Sequence, residues 1–270
     1  MASGTSAKVE VRTSDLIAAE ELIFERSTRD QREAAAQLLQ EALIGAGLSV
    51  QLQSYRVPNE HWVLDFFLPP VTGINVVSEL PATSATAKTI IVGAHYDTKQ
   101  GSPGADDNAS GVIALVRVAQ HLAALNQRSA NVIFVLFDQE EQGSIGSLVF
   151  AARMQADKRQ VHSMHNIDMI GYDKNADGLF DLDAPDGEIA DTYLAVAQEL
   201  NVPINRTTFD SSDHISFRKR GYAAAFLTEN LSGGDFNPNY HSPKDTEINQ
   251  AYLDSGTLLA SAVLERLVTP

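Results

Sequence analysis

Cysteine is absent from this chain of 270 residues, and its absence excludes disulfide bonds, thiolate zinc sites and a cysteine nucleophile. Basic residues are few, because 20 Lys and Arg stand against 35 Asp and Glu, for a net charge of -15. This excess of negative charge argues against nucleic acid or an anionic membrane as a partner. No apolar run of the sequence is long enough to span a bilayer. We therefore expect the protein to bind neither nucleic acid nor a membrane.

The chain has enough apolar sequence for a sizeable core, with 44% hydrophobic residues. Helical periodicity covers about Thr13 to Leu48, and an alternating stretch, Ser49 to Val57, predicts a strand at a sheet edge. From Lys88 to Leu267, short apolar runs with strand character alternate with helical segments. This alternation predicts an α/β fold with a doubly wound, mostly parallel or mixed sheet. There is no internal repeat or linker, so we predict a single domain over residues 1–270.

The most informative stretch runs from Gly93 to Gly111 and reads GAHYDTKQGSPGADDNASG. A buried strand precedes it, and a segment of helical character follows it. His95 and Asp97 therefore lie at a strand end, and Asp106 lies just before a helix. Side chains in these two places can converge at the carboxyl edge of an α/β sheet. We predict that they bind a metal ion.

Other predicted strand ends carry residues of the same kind. Glu140 and Glu141 follow the strand Asn131–Phe137, Asp168 lies in the strand-like sequence HNIDMIGY, and His241 follows a late loop. Taken singly, a histidine is usually structural, and a Glu pair is commonly solvated or caps a helix. Two histidines and several carboxylates at one edge favour a metal site. Imidazole combined with carboxylate suits zinc or a similar first-row ion.

The motifs HYDT, GADDNASG, the Glu-Glu pair, the strand Asp and HSPKDT, in this order, resemble the di-zinc aminopeptidases of the bacterial leucyl aminopeptidase type. Relatives of that family include glutamate carboxypeptidase II and the glutaminyl cyclases. The resemblance implies the zinc exopeptidase fold, a mixed, mostly parallel central sheet with helices on both faces. It also implies two zinc ions per chain and a secreted or periplasmic location. The N-terminal sequence MASGTSAKVEVRTSDL has no apolar signal core. We therefore expect either a cytosolic protein or a mature segment with an added Met.

The resemblance also implies individual roles for the site residues. His95 and Asp168 would bind one zinc ion, Glu141 and His241 would bind the other, and Asp106 would bridge the two. The resemblance further implies a cis peptide bond between Asp106 and Asp107, which would direct the bridging carboxylate.

Two further carboxylates would act without binding metal. Asp97 would orient His95 through a hydrogen bond and fix its tautomer. Glu140 would be the general base, which takes a proton from the attacking water and delivers it to the leaving amine. The implied activity is a metal-dependent aminopeptidase that removes N-terminal, apolar residues from peptides with a free N-terminus. We expect the enzyme to be a monomer.

One position departs from the pattern of the family. Relatives have a tyrosine that stabilises the oxyanion shortly before the stretch that matches Ser211-Ser212-Asp213-His214, and this chain has Phe209 there. Because phenylalanine has no hydroxyl group, another residue must donate to the oxyanion if the mechanism is kept. Tyr240 and Tyr172 are the alternatives. Each also has a structural interpretation, as a packing residue.

An acidic segment after the Asp168 strand has alternating oxygen ligands typical of a calcium loop. Its candidate ligands are Asp173, Asn175, Asp177 and Asp181. The alternative is an acidic surface turn shaped by Asn, Asp and Gly. The segment lacks the final bidentate Glu of an EF-hand loop.

Two other functions compete with the aminopeptidase. A glutaminyl cyclase would be an acyltransferase with a single zinc ion, but its relatives alter the stretch Asp106–Gly111, which is intact here. A metal-binding module without catalysis would not need Glu140 beside a full set of ligands. The number of zinc ions per chain separates the peptidase from the cyclase.

Overall fold

The computed structural model describes residues 17–58, 70–86 and 88–270. The part of the predicted first helix that precedes Ile17 lies outside these ranges. The described helices are α1 (Ala19–Leu22), α2 (Arg29–Gly45), α3 (Gly111–Ala123), α4 (Ile145–Ala156), α5 (Glu188–Leu200), α6 (His214–Arg218) and α7 (Gln250–Val268). None of these helices combines the length and apolar character needed to cross a bilayer.

The described strands are β1 (Val50–Val57), β2 (Val71–Leu80), β3 (Thr89–His95), β4 (Asn131–Phe137), β5 (Val161–Ile167), β6 (Phe180–Asp183), β7 (Ile204–Arg206) and β8 (Ala224–Glu229). They form one sheet in the order β1-β2-β4-β3-β5-β8-β6-β7. The central pairings β4/β3, β3/β5 and β5/β8 are parallel, and β1, β2 and β6 join through antiparallel pairings. This mixed, mostly parallel sheet confirms the predicted fold class.

Helices cover both faces of the sheet. Successive residues of a strand point to opposite faces, so Ile90 and Val92 of β3 belong to one apolar cluster while Ile91 belongs to another. The first cluster includes residues of α2, α3, α5 and α7. The second includes Phe150 of α4 and Phe217 of α6. Because both faces are buried, β3 and β4 are nearly continuous apolar runs instead of alternating ones.

Two strand boundaries differ from the prediction. β5 ends at Ile167, so Asp168 lies just beyond the strand and not inside it. β6 occupies part of the segment that the sequence analysis treated as an acidic loop. Its sequence, Phe-Asp-Leu-Asp, is buried at every position, and its aspartates accept hydrogen bonds from Asn205, Ser232 and Arg218. A strand of four residues with two acids gives almost no signal in the sequence.

Candidate metal centre

The carboxyl ends of β3, β4 and β5 place the candidate residues at one edge of the sheet. The parallel register aligns His95, the last residue of β3, with Phe137, the last residue of β4. Glu140 and Glu141, which come shortly after β4 in the sequence, therefore lie near His95. Asp168 comes directly after β5, which pairs with β3 on its other side. This is the edge at which open α/β sheets bind their ligands.

Two groups of possible metal ligands share one carboxylate, that of Asp107. In the first group, His95 Nε2 lies 3.1 Å from Asp107 Oδ1 and 3.2 Å from Asp168 Oδ1. In the second, His241 Nε2 lies 3.1 Å from Asp107 Oδ2 and 3.0 Å from Glu141 Oε1. Asp107 thus directs one oxygen to each histidine, which is the arrangement expected of a carboxylate that bridges two cations.

The geometry of these atoms suits ligands of a zinc ion better than it suits hydrogen bonds between them. Glu141 Oε1 and His241 Nε2 are buried and 3.0 Å apart, yet neither has a hydrogen-bond partner of acceptable geometry. Such orphaned buried atoms are costly unless something else binds them. Each group offers one imidazole and two carboxylates, and three protein ligands with an open position are typical of catalytic zinc. The residues present therefore fit the two ions that the sequence resemblance implies.

The prediction that Asp106 bridges the two groups is wrong, because Asp107 lies there. Asp106 Oδ1 accepts a hydrogen bond from the Gly171 amide at 2.8 Å, and Asp106 Oδ2 accepts one from Asn237 Nδ2 at 2.9 Å. Both of its oxygens thus accept hydrogen bonds from these donors, and Asp106 is in neither ligand group. Burial raises the pKa of Asp106 to about 7, in keeping with a site inside the protein.

The predicted position of the cis peptide bond is also wrong by one residue. The cis bond joins Asp107 and Asn108, not Asp106 and Asp107. Asp107 and Asn108 have non-helical backbone angles, with φ -108°, ψ 90° and φ -134°, ψ 44°. Helical periodicity therefore does not apply within Ala105–Ser110, and the directions of adjacent side chains cannot be read from spacing.

Asp97 lies where it can orient both His95 and the loop after β4. Its carboxylate is 3.5 Å from His95 Nδ1, and its backbone carbonyl oxygen is 3.2 Å from the same nitrogen. The two carboxylate oxygens also accept hydrogen bonds from the amides of Glu140 and Glu141, at 2.9 and 3.2 Å. Asp97 therefore connects the end of β3 to the segment with the two glutamates.

Glu140 is partly buried and directly precedes Glu141, a member of the second ligand group. Burial raises the pKa of Glu140 to about 9, while the charge of His95 lowers it. The Ser144 hydroxyl donates a hydrogen bond to Glu140 Oε1 at 3.1 Å. Glu140 belongs to neither ligand group, whereas Glu141 belongs to one. Glu140 is thus a partly buried carboxyl group beside the ligand groups that belongs to neither of them.

Opposite charges dominate the electrostatics of the ligand groups. Burial lowers the pKa of His95, but Asp168 and the neighbouring carboxylates raise it well above the usual value overall. Burial likewise lowers the pKa of His241, yet the facing carboxylates of Asp107 and Glu141 raise it to about 9. The carboxylates around both imidazoles thus favour positive charge at this centre. A bound cation would replace protons at these imidazoles.

Tyr240 and Phe209 differ in their relation to the metal centre. The Tyr240 ring stacks on the His241 ring with centroids 3.6 Å apart. The Phe209 ring packs edge-to-face against Phe226 of β8, with centroids 5.3 Å apart, and the Phe209 amide donates to Asp183. Of the two, Tyr240 is therefore the one next to a candidate ligand.

The four residues predicted as calcium ligands do not form one ligand set. Asp173, Asn175 and Asp177 accept hydrogen bonds from nearby backbone amides, which shapes a turn. Asp181 lies on β6, and its oxygens accept from the Ser232 amide, the Ser232 hydroxyl and Asn205 Nδ2 at 2.6 to 2.9 Å. Within residues 17–58, 70–86 and 88–270, the only groups of three His, Asp or Glu donors are the two that share Asp107.

Several residues that support the site were not predicted as part of it. The Ser212 hydroxyl donates to Asp168 Oδ2 at 2.6 Å. Asn108 Nδ2 donates to the Ile167 carbonyl oxygen at 3.0 Å, and Asn108 Oδ1 accepts from the Met169 amide at 3.1 Å. Asn108 thus binds the backbone on both sides of Asp168. Both residues lie inside recognised motifs, but their roles depend on contacts far apart in sequence.

An α/β sheet that places histidine and carboxylate ligands at its carboxyl edge defines the class, a metal-dependent protein of the α/β type. The chain belongs to peptidase family M28, whose sequence profile matches residues 75–264. A probable leucine aminopeptidase of Trichophyton verrucosum is 32% identical over 205 residues, which are 70% of this chain and 54% of that protein. One of Arthroderma otae is 35% identical over 176 residues, 59% of this chain and 48% of that protein. This chain thus spans about half the length of these curated relatives.

Solved structures of low sequence identity share the fold. The zinc aminopeptidase BSAP from Bacillus subtilis superposes with a TM-score of 0.80 at 14% identity, over 93% of this chain and 92% of that one. The LapA aminopeptidase of Legionella pneumophila gives 0.78 at 21% identity, over 96% of this chain and 72% of that one. A Bacteroides thetaiotaomicron glutaminyl cyclase bound to N-acetylhistamine gives 0.75 at 17%, over 94% and 98%. Identities this low show the fold alone.

Proposed function

We propose that this chain is a zinc-dependent aminopeptidase that uses two metal ions. The observation that carries the proposal is the shared carboxylate of Asp107, which faces His95 with one oxygen and His241 with the other. His95 and Asp168 would hold one zinc ion, and His241 and Glu141 would hold the second. Membership of family M28 and the names of the curated relatives support this activity.

Two zinc ions bound there would lower the pKa of a water molecule and polarise the carbonyl group of the scissile peptide bond. Glu140 would accept the proton of the attacking water at a carboxylate oxygen and then deliver it to the nitrogen of the leaving amine. The hydrogen bond from Ser144 and the one that the Glu140 amide donates to the Asp97 carboxylate hold this segment in place. The Tyr240 hydroxyl is our candidate donor to the oxyanion, because its ring lies against His241.

The preference for a free, apolar N-terminal residue is part of the same proposal. The carboxyl groups of Glu140, Glu141 and Asp168 would attract the positively charged α-amine of a peptide. Next to His241, the Tyr240 and Phe236 rings pack edge-to-face with centroids 4.9 Å apart and are 36% and 43% exposed. Large apolar groups left this exposed beside a site favour an apolar side chain of the substrate.

The glutaminyl cyclase alternative has weaker support. The curated relatives at 32% and 35% identity carry the name leucine aminopeptidase, whereas the likeness to a cyclase concerns the fold at 17% identity. A cyclase would also leave one of the two ligand groups without use. The single domain, the monomeric state and the secreted or periplasmic location stay predictions from the sequence.

A panel of leucine, glutamate and lysine anilides, each with a free and an acetylated amine, tests the proposal. We expect cleavage of the free leucine substrate, little cleavage of the charged ones and none of the acetylated ones. A strong chelator should abolish the activity, and zinc should restore it. Cleavage of acetylated substrates, or activity that survives metal removal, would contradict the proposal. Cyclisation of an N-terminal glutamine peptide with one zinc ion per chain would favour the cyclase.

A further inference from the structure

Asp245, four residues after His241, is in neither ligand group, yet it is buried against the turn with Asp107. Its side chain is 1% exposed. Asp245 Oδ1 accepts a hydrogen bond from the Asp106 amide at 3.0 Å, and Asp245 Oδ2 accepts one from the Asp107 amide at 3.2 Å. The backbone carbonyl oxygen of Asp245 also accepts from the Ala105 amide at 3.1 Å. One residue thus binds three consecutive amides of this turn.

The turn needs such external acceptors. Asp107 and Asn108 have non-helical backbone angles, so a regular ladder of helical hydrogen bonds does not fix the direction of the Asp107 side chain. Buried amides must find partners elsewhere. A carboxylate is a strong acceptor for them, because a hydrogen bond to a charged group is shorter and stronger than one between neutral groups.

Asp245 also connects the turn to the second histidine. The Asp245 amide donates to the Ser242 carbonyl oxygen at 3.1 Å, and Ser242 directly follows His241. The segment 241–245 therefore carries both a candidate ligand and the acceptor for the backbone of another. Asp107 and His241, the two ends of this connection, lie 3.1 Å apart at their side-chain atoms.

We propose that Asp245 is a positioning residue of the metal centre, which holds the Asp107 carboxylate where it faces His95 and His241 at the same time. The inference rests on the proposed function, because it assumes that Asp107 binds metal. It predicts that a change at Asp245 weakens both metal sites together, since both use Asp107. A residue that supported only the His241 loop would weaken one site.

The test is the Asp245→Asn variant, which keeps the size of the side chain but replaces one acceptor oxygen with an NH₂ group. That group cannot accept a hydrogen bond from a backbone amide. Zinc binding to the metal-free protein is measured by competition with a chromophoric chelator. We expect affinity at both sites to fall about 10- to 100-fold, the range seen when partners of metal ligands are removed. We also expect kcat to fall while KM changes by less than about threefold, because metal binding and not substrate contact is affected.

Asp181→Asn is the matched control, because Asp181 is also a fully buried aspartate whose oxygen accepts from a backbone amide, that of Ser232. It should bind zinc and turn over substrate as the wild type does. The melting temperature of each metal-free protein is measured alongside. A loss of stability in Asp245→Asn with unchanged zinc affinity and kcat would overturn the inference, since that is what a merely structural role gives.

A second variant, Asp245→Glu, keeps both acceptor oxygens and the charge but displaces them by one methylene group. If Asp245→Asn does not fold, weakened zinc binding in Asp245→Glu supports the inference, and wild-type affinity at both sites overturns it. A wild-type chain that binds no zinc would instead contradict the proposed function. The two failures are therefore distinguishable.

Discussion

At the residue scale, the adjacent carboxylates of Asp106 and Asp107 have opposite environments. Asp107 faces two histidines, whereas Asp106 accepts hydrogen bonds from Gly171 and Asn237. Asp107→Asn should therefore lose most zinc binding at both sites, because a neutral amide is a weak ligand and, unlike a carboxylate, does not offer a negatively charged oxygen to each of two cations. Asp106→Asn should retain two zinc ions. Equilibrium dialysis with zinc analysis checks both, and zinc loss in Asp106→Asn alone would reverse the assignment.

The two adjacent glutamates give a second prediction at this scale. Glu140→Gln should retain both zinc ions and lose about 10²- to 10⁴-fold in kcat, which is the usual contribution of general acid–base catalysis. Glu141→Gln should lose zinc, because Glu141 belongs to a ligand group. Metal content and steady-state rates are measured on the same preparations. Zinc loss in Glu140→Gln with retention in Glu141→Gln would mean that the roles are exchanged.

At the scale of the element, β5 carries a buried histidine outside the metal centre. His165 Nε2 lies 2.9 Å from the Ser163 hydroxyl, and His165 Nδ1 lies 3.1 Å from the Tyr193 hydroxyl of α5. Burial lowers the pKa of His165 to about 3. Because the unfolded chain binds the proton near pH 6.5, acidification below that value favours unfolding until the folded form is also protonated. The stability contributed by the neutral imidazole is thus lost between about pH 6.5 and pH 3.

We expect His165 alone to lower the free energy of unfolding by about 2 kcal/mol at pH 5 relative to pH 7. His165→Gln should lack that part of the pH dependence, although its stability at pH 7 is lower. Urea unfolding at the two pH values measures the difference. His121→Gln, which removes a histidine that contacts Glu265 at 2.7 Å, is the control. Equal pH dependence in His165→Gln and wild type would contradict the prediction.

Gly93 of β3 shows how tightly this central strand packs. A Cβ atom there would lie 2.4 Å from Phe137 Cε2 and 2.9 Å from Met164 Cε, on the neighbouring strands. Gly93→Ala should therefore destabilise the fold by about 1–3 kcal/mol, as overpacked cores do. The double variant Gly93→Ala/Phe137→Leu should recover part of this loss, because the closest ring is removed. Urea unfolding measures both variants, and a Gly93→Ala protein as stable as wild type would contradict the packing argument.

At the scale of the whole molecule, the metal centre concentrates acidic groups in a chain with net charge -15. Two zinc ions would add four positive charges inside the fold and relieve repulsion among the buried carboxylates. Metal that binds only the folded state stabilises it by mass action, by about 2.7 kcal/mol per site at a free concentration of 100 Kd. The melting temperature should therefore fall on dialysis against a chelator and rise again with two equivalents of zinc. Magnesium at the same concentration is the control, and an equal rise with magnesium would contradict a zinc site.

Much of the fold and the type of site could be predicted because they depend on local pattern. Apolar runs such as β3 and β4 and the periodic helices between them specify a parallel sheet, and parallel strands bring their carboxyl ends to one edge. The prediction missed strand β6, because its buried aspartates break the apolar pattern of a strand. It also assigned the wrong carboxylate in the turn Ala105–Ser110, where the backbone departs from helical angles.

The sequence by itself determined the fold class and the chemical kind of the donors, His95, His241 and the carboxylates at the strand ends. Residue type and the alternation of strands with helices can both be read from it. Only the tertiary structure decided that Asp107 and not Asp106 is shared by the two groups. The physical reason is that the non-helical backbone at Asp107 and Asn108 and the contacts of Asp245, far along the chain, set the direction of that side chain. Spacing in a sequence carries neither piece of information.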